Sequence, residues 1–173
     1  MKQSGWALAL VGWGVLAAPP LWAAEKIELT TRVSGVVDQV LVKVGQRVSK
    51  GMVLLRLEKT ILQAHLDEAA AELTRAQADE TDAKRDLERA QELFNRTVSS
   101  TTELDAATLR HVRAQASLSA ANARRVIAQK NLNDAELKAP FDGVVSALPG
   151  VPGTVVAAEC QPKTLVILSS GAR

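Results

Sequence analysis

Few side chains in this 173-residue sequence have a type and spacing that could do chemistry. There are two histidines, His65 and His111, and one cysteine, Cys160. The histidines sit in opposite halves of a long helical stretch and near different ends of the hairpin it would form. They cannot share a metal or a proton relay, and both are read as filling the flank or seam of that hairpin. A single cysteine allows neither an internal disulfide nor a thiolate cluster. Cys160 is expected to be a small apolar residue near a turn, with an intermolecular bridge as the alternative. The metalloprotease string HExxH, the nucleophile elbow GxSxG and a phosphate-cradling loop are all absent. Asp and Glu face Arg and Lys at helical spacing, as in a solvated coiled coil. No catalytic, metal-binding or cofactor-binding residue is expected, and the chain does not read as an enzyme.

The elements that would position any functional group follow from composition. The chain is 47% apolar and 23% charged, within the range of folded domains. Its formal charge of +2, without a basic stripe interleaved with aromatics, points away from nucleic acid. Tyrosine is absent, Phe94 and Phe141 are the only phenylalanines, and Trp6, Trp13 and Trp22 all lie near the N-terminus. A core with so few aromatics must be small, or be a seam of Ala and Leu.

From Val33 to Glu58 the pattern is that of strands. Val40, Val42 and Val44 alternate with Leu41 and Lys43, and Val53-Leu54-Leu55 leads into Leu57. Gly35, Gly45 and Gly51 stand where turns are needed. From Ile61 to Ala135 there are 75 positions without Gly or Pro. Steps of four and three give Leu62, Leu66, Ala69, Leu73, Ala76, Glu80, Ala83, Leu87, Ala90 and Phe94, nine of the ten apolar. A second run gives Leu104, Ala107, His111, Ala114, Leu118, Ala121, Arg125, Ala128, Leu132 and Ala135, eight of the ten apolar. Such a repeat is a coiled-coil seam. Glu80 and Arg125 interrupt it, and their stems are expected to turn outward.

The seam loses register over residues 98–102, where hydroxyl side chains favour a turn and a cap. Thr101 or Thr102 is expected to cap the second helix, with Glu103 and Asp105 in its first turn. The result is an antiparallel hairpin about 50 Å long, with Phe94 opposite Leu104, Leu87 opposite His111 and Leu73 opposite Arg125. One continuous dimerising helix is the alternative. After Ala135 strand character returns at Val144-Val145, Val155-Val156 and Leu165 to Leu168. Neither β segment can close a core alone, so the hairpin must return the chain for the two halves to pair.

The first 24 residues have the layout of a secretory signal. Lys2 precedes an apolar run from Trp6 to Leu16, Pro19-Pro20 breaks it, and Ala23-Ala24 precede Glu25. Retention as an uncleaved anchor is the alternative. No cysteine stands there for a lipoprotein anchor. Expected segments are 1–24 as signal or anchor, 25–59 as the first half of a β-domain, 60–135 as the hairpin, and 136–173 as the second half with a tail.

Ser34 to Glu58 resembles the first half of a biotinyl/lipoyl-type domain, and Leu137 to Leu168 resembles the second. The split by a coiled-coil hairpin resembles the membrane fusion protein family, the periplasmic adaptors of tripartite efflux pumps and type I secretion systems. Its most specific string is Ala139-Pro140-Phe141-Asp142-Gly143, in which Pro140 ends the helical segment and Gly143 is expected to allow a tight turn. The fold class is therefore α+β, a long antiparallel α-hairpin inserted into a split lipoyl-like β-sandwich.

The resemblance implies a periplasmic location, with association to the inner membrane if the N-terminal segment is retained. It also implies an outer-membrane channel, an inner-membrane transporter of the RND or ABC type, and a homo-oligomeric ring as partners. Many such adaptors carry Arg, three residues, Leu, six residues and Ser at the tip, and Arg89, Leu93 and Ser100 match that spacing. Larger adaptors continue into a β-barrel and a membrane-proximal domain, whereas this sequence ends at Arg173, so it reads as a short form. The competing readings are a coiled-coil scaffold without a transport role and a biotin or lipoate carrier using Lys59. Against the carrier, the helical insert takes the place of the tight turn and no Met-Lys-Met string is present.

Overall fold

A computed structural model describes residues 25–97, 100–158 and 162–170. The segment read as a signal or anchor, the C-terminal tail beyond 170 and Cys160 lie outside the described residues. In chain order the elements are β1 (Lys26–Leu29), β2 (Gly35–Val40), β3 (Arg47–Val48), β4 (Val53–Leu57), α1 (Thr60–Asn95), α2 (Thr101–Asp134), β5 (Glu136–Lys138), β6 (Gly143–Ala147), β7 (Val155–Val156) and β8 (Val166–Ser170).

The eight short strands form two four-stranded sheets, ordered β1-β8-β6-β3 and β5-β4-β2-β7. All six ladders are antiparallel, and four of them (β1 with β8, β3 with β6, β4 with β5, β2 with β7) join one half of the chain to the other. Neither half could satisfy its own backbone, so the halves must assemble together. Between the sheets lies an aliphatic core that includes Val37, Leu54, Leu55, Leu57, Val145, Val156, Leu165, Val166 and Leu168. Burying each such side chain stabilises the fold by about 1.5–3 kcal/mol.

Three local expectations are corrected. The alternation through Val44 does not extend the strand, because β2 ends at Val40 and Val44 is exposed in the turn that follows. There Gln46 donates its N–H to the Lys43 carbonyl and Gly45 takes φ +83°. Gly35 begins a strand rather than making a turn, and a Cβ there would meet Leu57 at 3.6 Å. Gly143 also begins a strand without a positive φ; it is glycine because the Ser169 carbonyl approaches too closely for a Cβ. The strands β1 and β5 escaped the sequence reading, being three or four residues long and next to segments of other character.

The two helices, 36 and 34 residues long, form the hairpin and extend about 50 Å at 1.5 Å per residue. Of the twenty seam positions read from the sequence, only Arg125 is exposed. Ala69, Ala76, Ala107 and Ala121 are buried, so small residues let the helices approach closely. Glu80 does not turn outward. It stays half-buried and meets His111 across the seam, Oε1 to Nε2 3.2 Å, so His111 finds a polar partner two turns from the expected Leu87. Glu72 with Arg124, and Asp86 with Arg110 at 3.6 Å, add cross-helix pairs.

Candidate functional site at the hairpin tip

The far end of the hairpin is built by the last turns of α1 and the first turn of α2. Arg89 and Leu93 stand one turn apart, so both project from one side of α1. Arg89 is widely exposed and its guanidinium meets Asp86 Oδ1 at 3.1 Å, while Asp86 Oδ2 faces Arg110 of α2. Arg89, Leu93 and Ala90 line a shallow depression with Glu103, Ala107 and Arg110. Leu93 is 40% exposed, an apolar knob rimmed by charge of both signs. Such a surface can seat a helix end, the guanidinium engaging carbonyls or carboxylates and the leucine filling a groove.

Ser100 does not line that depression. It is the N-cap of α2, in place of the expected Thr101 or Thr102, and its Oγ accepts the Glu103 N–H at 3.3 Å. Removing this bond by Ser100→Ala is expected to cost about 0.5–1 kcal/mol. Hydrogen exchange should read it as faster exchange of the first α2 amides, with the rest of the hairpin unchanged. One tip residue was not legible beforehand. Thr97 takes φ +61°, a left-handed conformation that costs a β-branched residue about 1–2 kcal/mol. Its type carries no signal for this, since Gly or Asn would be the usual choice.

At the base of the hairpin, Glu136 gathers three cations just after α2. Its carboxylate meets Lys59 Nζ at 2.7 Å, Arg56 Nε at 3.4 Å and Lys138 Nζ at 3.6 Å. Lys59 is the N-cap residue of α1, so this cluster joins both helix ends to β4 and β5. It also gives Lys59, the residue a carrier would modify, an ion-pair partner. The hydrogen bond from Lys59 holds the Glu136 carboxyl below its ordinary range, opposed by partial burial and aided by the charges of Lys59, Arg56 and Lys138. A depressed carboxyl contributes stability that is present above the unfolded-state value and lost as pH falls through the folded-state value. Acid titration of Glu136→Gln should therefore show a smaller loss of melting temperature below about pH 4.5 than the parent chain.

The string from Ala139 to Gly143 joins the halves. Ala139 is buried, its N–H donates to the Met52 carbonyl and its own carbonyl accepts from Gly51, which takes φ +85°. Pro140 does not end the helix as expected, because α2 stops at Asp134 and β5 intervenes; it is exposed, the half-buried Phe141 packs against the core, and Asp142 Oδ1 accepts the Lys50 N–H at 2.6 Å. These residues close the sandwich. His65 is exposed beside Glu68 on α1, and among the described residues no group of three His, Cys, Asp or Glu could hold a metal ion. Among those residues no helix is long and apolar enough to cross a membrane.

Comparison with known proteins is consistent with this arrangement. Residues 25–166 match the family model described as CzcB-like, barrel-sandwich hybrid domain. The chain is 37% identical over 145 residues to the efflux pump periplasmic linker BepF of Brucella suis, covering 84% of this chain and 35% of that protein. It is 36% identical over 125 residues to the uncharacterized protein YdhJ of Escherichia coli, covering 72% of this chain and 44% of that one. The chain thus spans less than half the length of either relative. Among solved structures it resembles the membrane fusion protein Spr0693 of Streptococcus pneumoniae, with a TM-score of 0.64 at 19% identity, covering 84% and 59% of the two chains. It also resembles ZneB of Cupriavidus metallidurans, with a TM-score of 0.62 at 19% identity, covering 86% and 62%. These two likenesses concern the fold.

Proposed function

Because this chain belongs to the CzcB-like barrel-sandwich hybrid domain family, we propose that it is a periplasmic adaptor of an efflux or type I secretion complex. In this role the hairpin tip docks on an outer-membrane channel, and an inner-membrane transporter of the RND or ABC type is the pump partner. Several copies assemble side by side, and cargo passes the assembly without being altered by this subunit. The role is mechanical. The observation that supports it most is the exposed Arg89–Leu93 pair at the far end of a hairpin about 50 Å from the sandwich. Mutual support between helices along the seam gives that tip a fixed direction, which a docking element needs.

Site-directed cross-linking tests the reading. A cysteine at Leu93 or Ser100 is expected to capture the channel, and Arg89→Glu combined with Leu93→Asp should lower capture by the Ser100 cysteine at least tenfold. The melting temperature should stay within a few degrees of the parent, because both sites are solvent-facing. If cysteines at the tip never capture a channel in cells that contain one, docking fails. The scaffold without a transport role is then the better reading.

A further inference from the structure

Where the hairpin leaves the sandwich, a cleft of about 430 Å³ opens between the linker from β1 to β2, the end of α2 and β5. Thr30 and Arg32 line it from the linker, Lys130 and Asn133 from α2, and Lys138 from β5. Arg32 is exposed and makes no ion pair among the described residues. Its guanidinium, a planar fork of donors, is therefore free to take a ligand.

Charge around the cleft does not balance. Five cations, Arg32, Arg56, Lys59, Lys130 and Lys138, stand in or beside it against two carboxylates, Asp134 and Glu136. Lys130 pairs with Asp134, while Arg56, Lys59 and Lys138 share the one carboxylate of Glu136. Three positive charges are thus in excess, and counting Glu58 in the adjoining turn still leaves two. The formal charge of the whole chain is only +2, so the surplus is concentrated at this junction. The C-terminal end of α2 opposes an anion with about half a negative charge, which is too small to cancel it.

We propose that this cleft binds a small phosphate-type oxyanion. Its donors come from three elements: the Arg32 fork and Thr30 hydroxyl, the Lys130 ammonium and Asn133 amide, and the Lys138 ammonium. A tetrahedral group presents oxygens in several directions at once, whereas the two oxygens of a carboxylate share one plane. Arg32 belongs to the first half of the sandwich and Lys138 to the second, so a bound anion ties the halves together where the hairpin emerges. Free phosphate and the phosphate of a lipid headgroup offer the same chemistry. The site lies at the other end of the hairpin from Arg89 and Leu93, and it stands whether or not the tip docks.

The test is calorimetric titration of the full chain with inorganic phosphate, against sodium chloride of equal ionic strength. Saturable binding is expected, and Arg32→Ala, at an exposed position, should weaken it about tenfold. Glu136→Gln should instead strengthen binding about fivefold, because it releases the cations that the carboxylate now holds. Asp134→Asn should act in the same sense, which covers the case in which the first variant fails to fold. Malonate, of similar charge, should bind about fivefold more weakly than phosphate. Flotation with vesicles of phosphatidic acid in phosphatidylcholine separates the two sources: a lipid headgroup is the ligand if Arg32→Ala lowers flotation about tenfold, and free phosphate if only the titration depends on Arg32. The proposal is overturned if neither measurement depends on Arg32, if both acid-to-amide variants weaken binding, or if malonate binds as well as phosphate.

Discussion

Gly143→Val is expected to prevent the β-sandwich from assembling, and even Gly143→Ala should cost about 3 kcal/mol. A Cβ at this position would lie 2.6 Å from the Ser169 carbonyl oxygen and 3.2 Å from the Phe141 ring. The first of these neighbours is backbone. It belongs to β8, which is held on one side by β1 and on the other by β6, so it cannot retreat without breaking a ladder. Overpacking of this kind costs about 1–3 kcal/mol, and more where the obstructing atom is fixed. Gly45 provides the contrast. Its φ is +83° with nothing within 4 Å of a Cβ, so Gly45→Ala should cost only the left-handed penalty of about 1–2 kcal/mol. Urea unfolding followed by hydrogen exchange at β6 and β8 separates the two. If Gly143→Ala retained wild-type protection in β8, close approach would not be the reason for glycine.

Leu168→Ala should lower stability by about 2–5 kcal/mol, which is a large share of the roughly 5–15 kcal/mol a domain possesses. Leu168 is fully buried, pairs with Ile27 on β1 and Val145 on β6, and stands in the centre of its sheet. A cavity there touches strands from both halves of the chain. The sandwich would therefore loosen as a unit rather than at one edge. Leu109→Ala on the outer face of α2 should change monomer stability by no more than about 0.5 kcal/mol, since that side chain is half exposed. Comparison of denaturation midpoints for the two variants checks this. Equal effects would mean that the core is not where the structure places it.

Much of the hairpin was legible in the sequence because a helical repeat is a local property. The absence of Gly and Pro, the steps of three and four and the hydroxyl-rich break each follow from neighbours within a few residues. The sandwich was legible only as two halves that needed each other. Three of its short strands, β1, β3 and β5, carry too few residues to show an alternation, and they exist because a partner from the other half supplies their ladders. At the tip, the spacing of Arg89 and Leu93 could be read in advance, but the capping role of Ser100 and the left-handed Thr97 could not. Turn conformation depends on how two helices meet, not on the types of the turn residues alone.

By itself, then, the sequence determined the order of segments and the seam between α1 and α2. Periodicity and composition are enough for these, since each is a statement about one stretch of chain. Only the tertiary structure decided that Gly143 is required by Ser169 rather than by a turn. The pairing of Glu80 with His111 inside the seam, and the gathering of Arg56, Lys59 and Lys138 around Glu136, were also decided there. Each of these joins residues far apart in the chain. Their distances are set by packing of the whole fold, which no local pattern encodes.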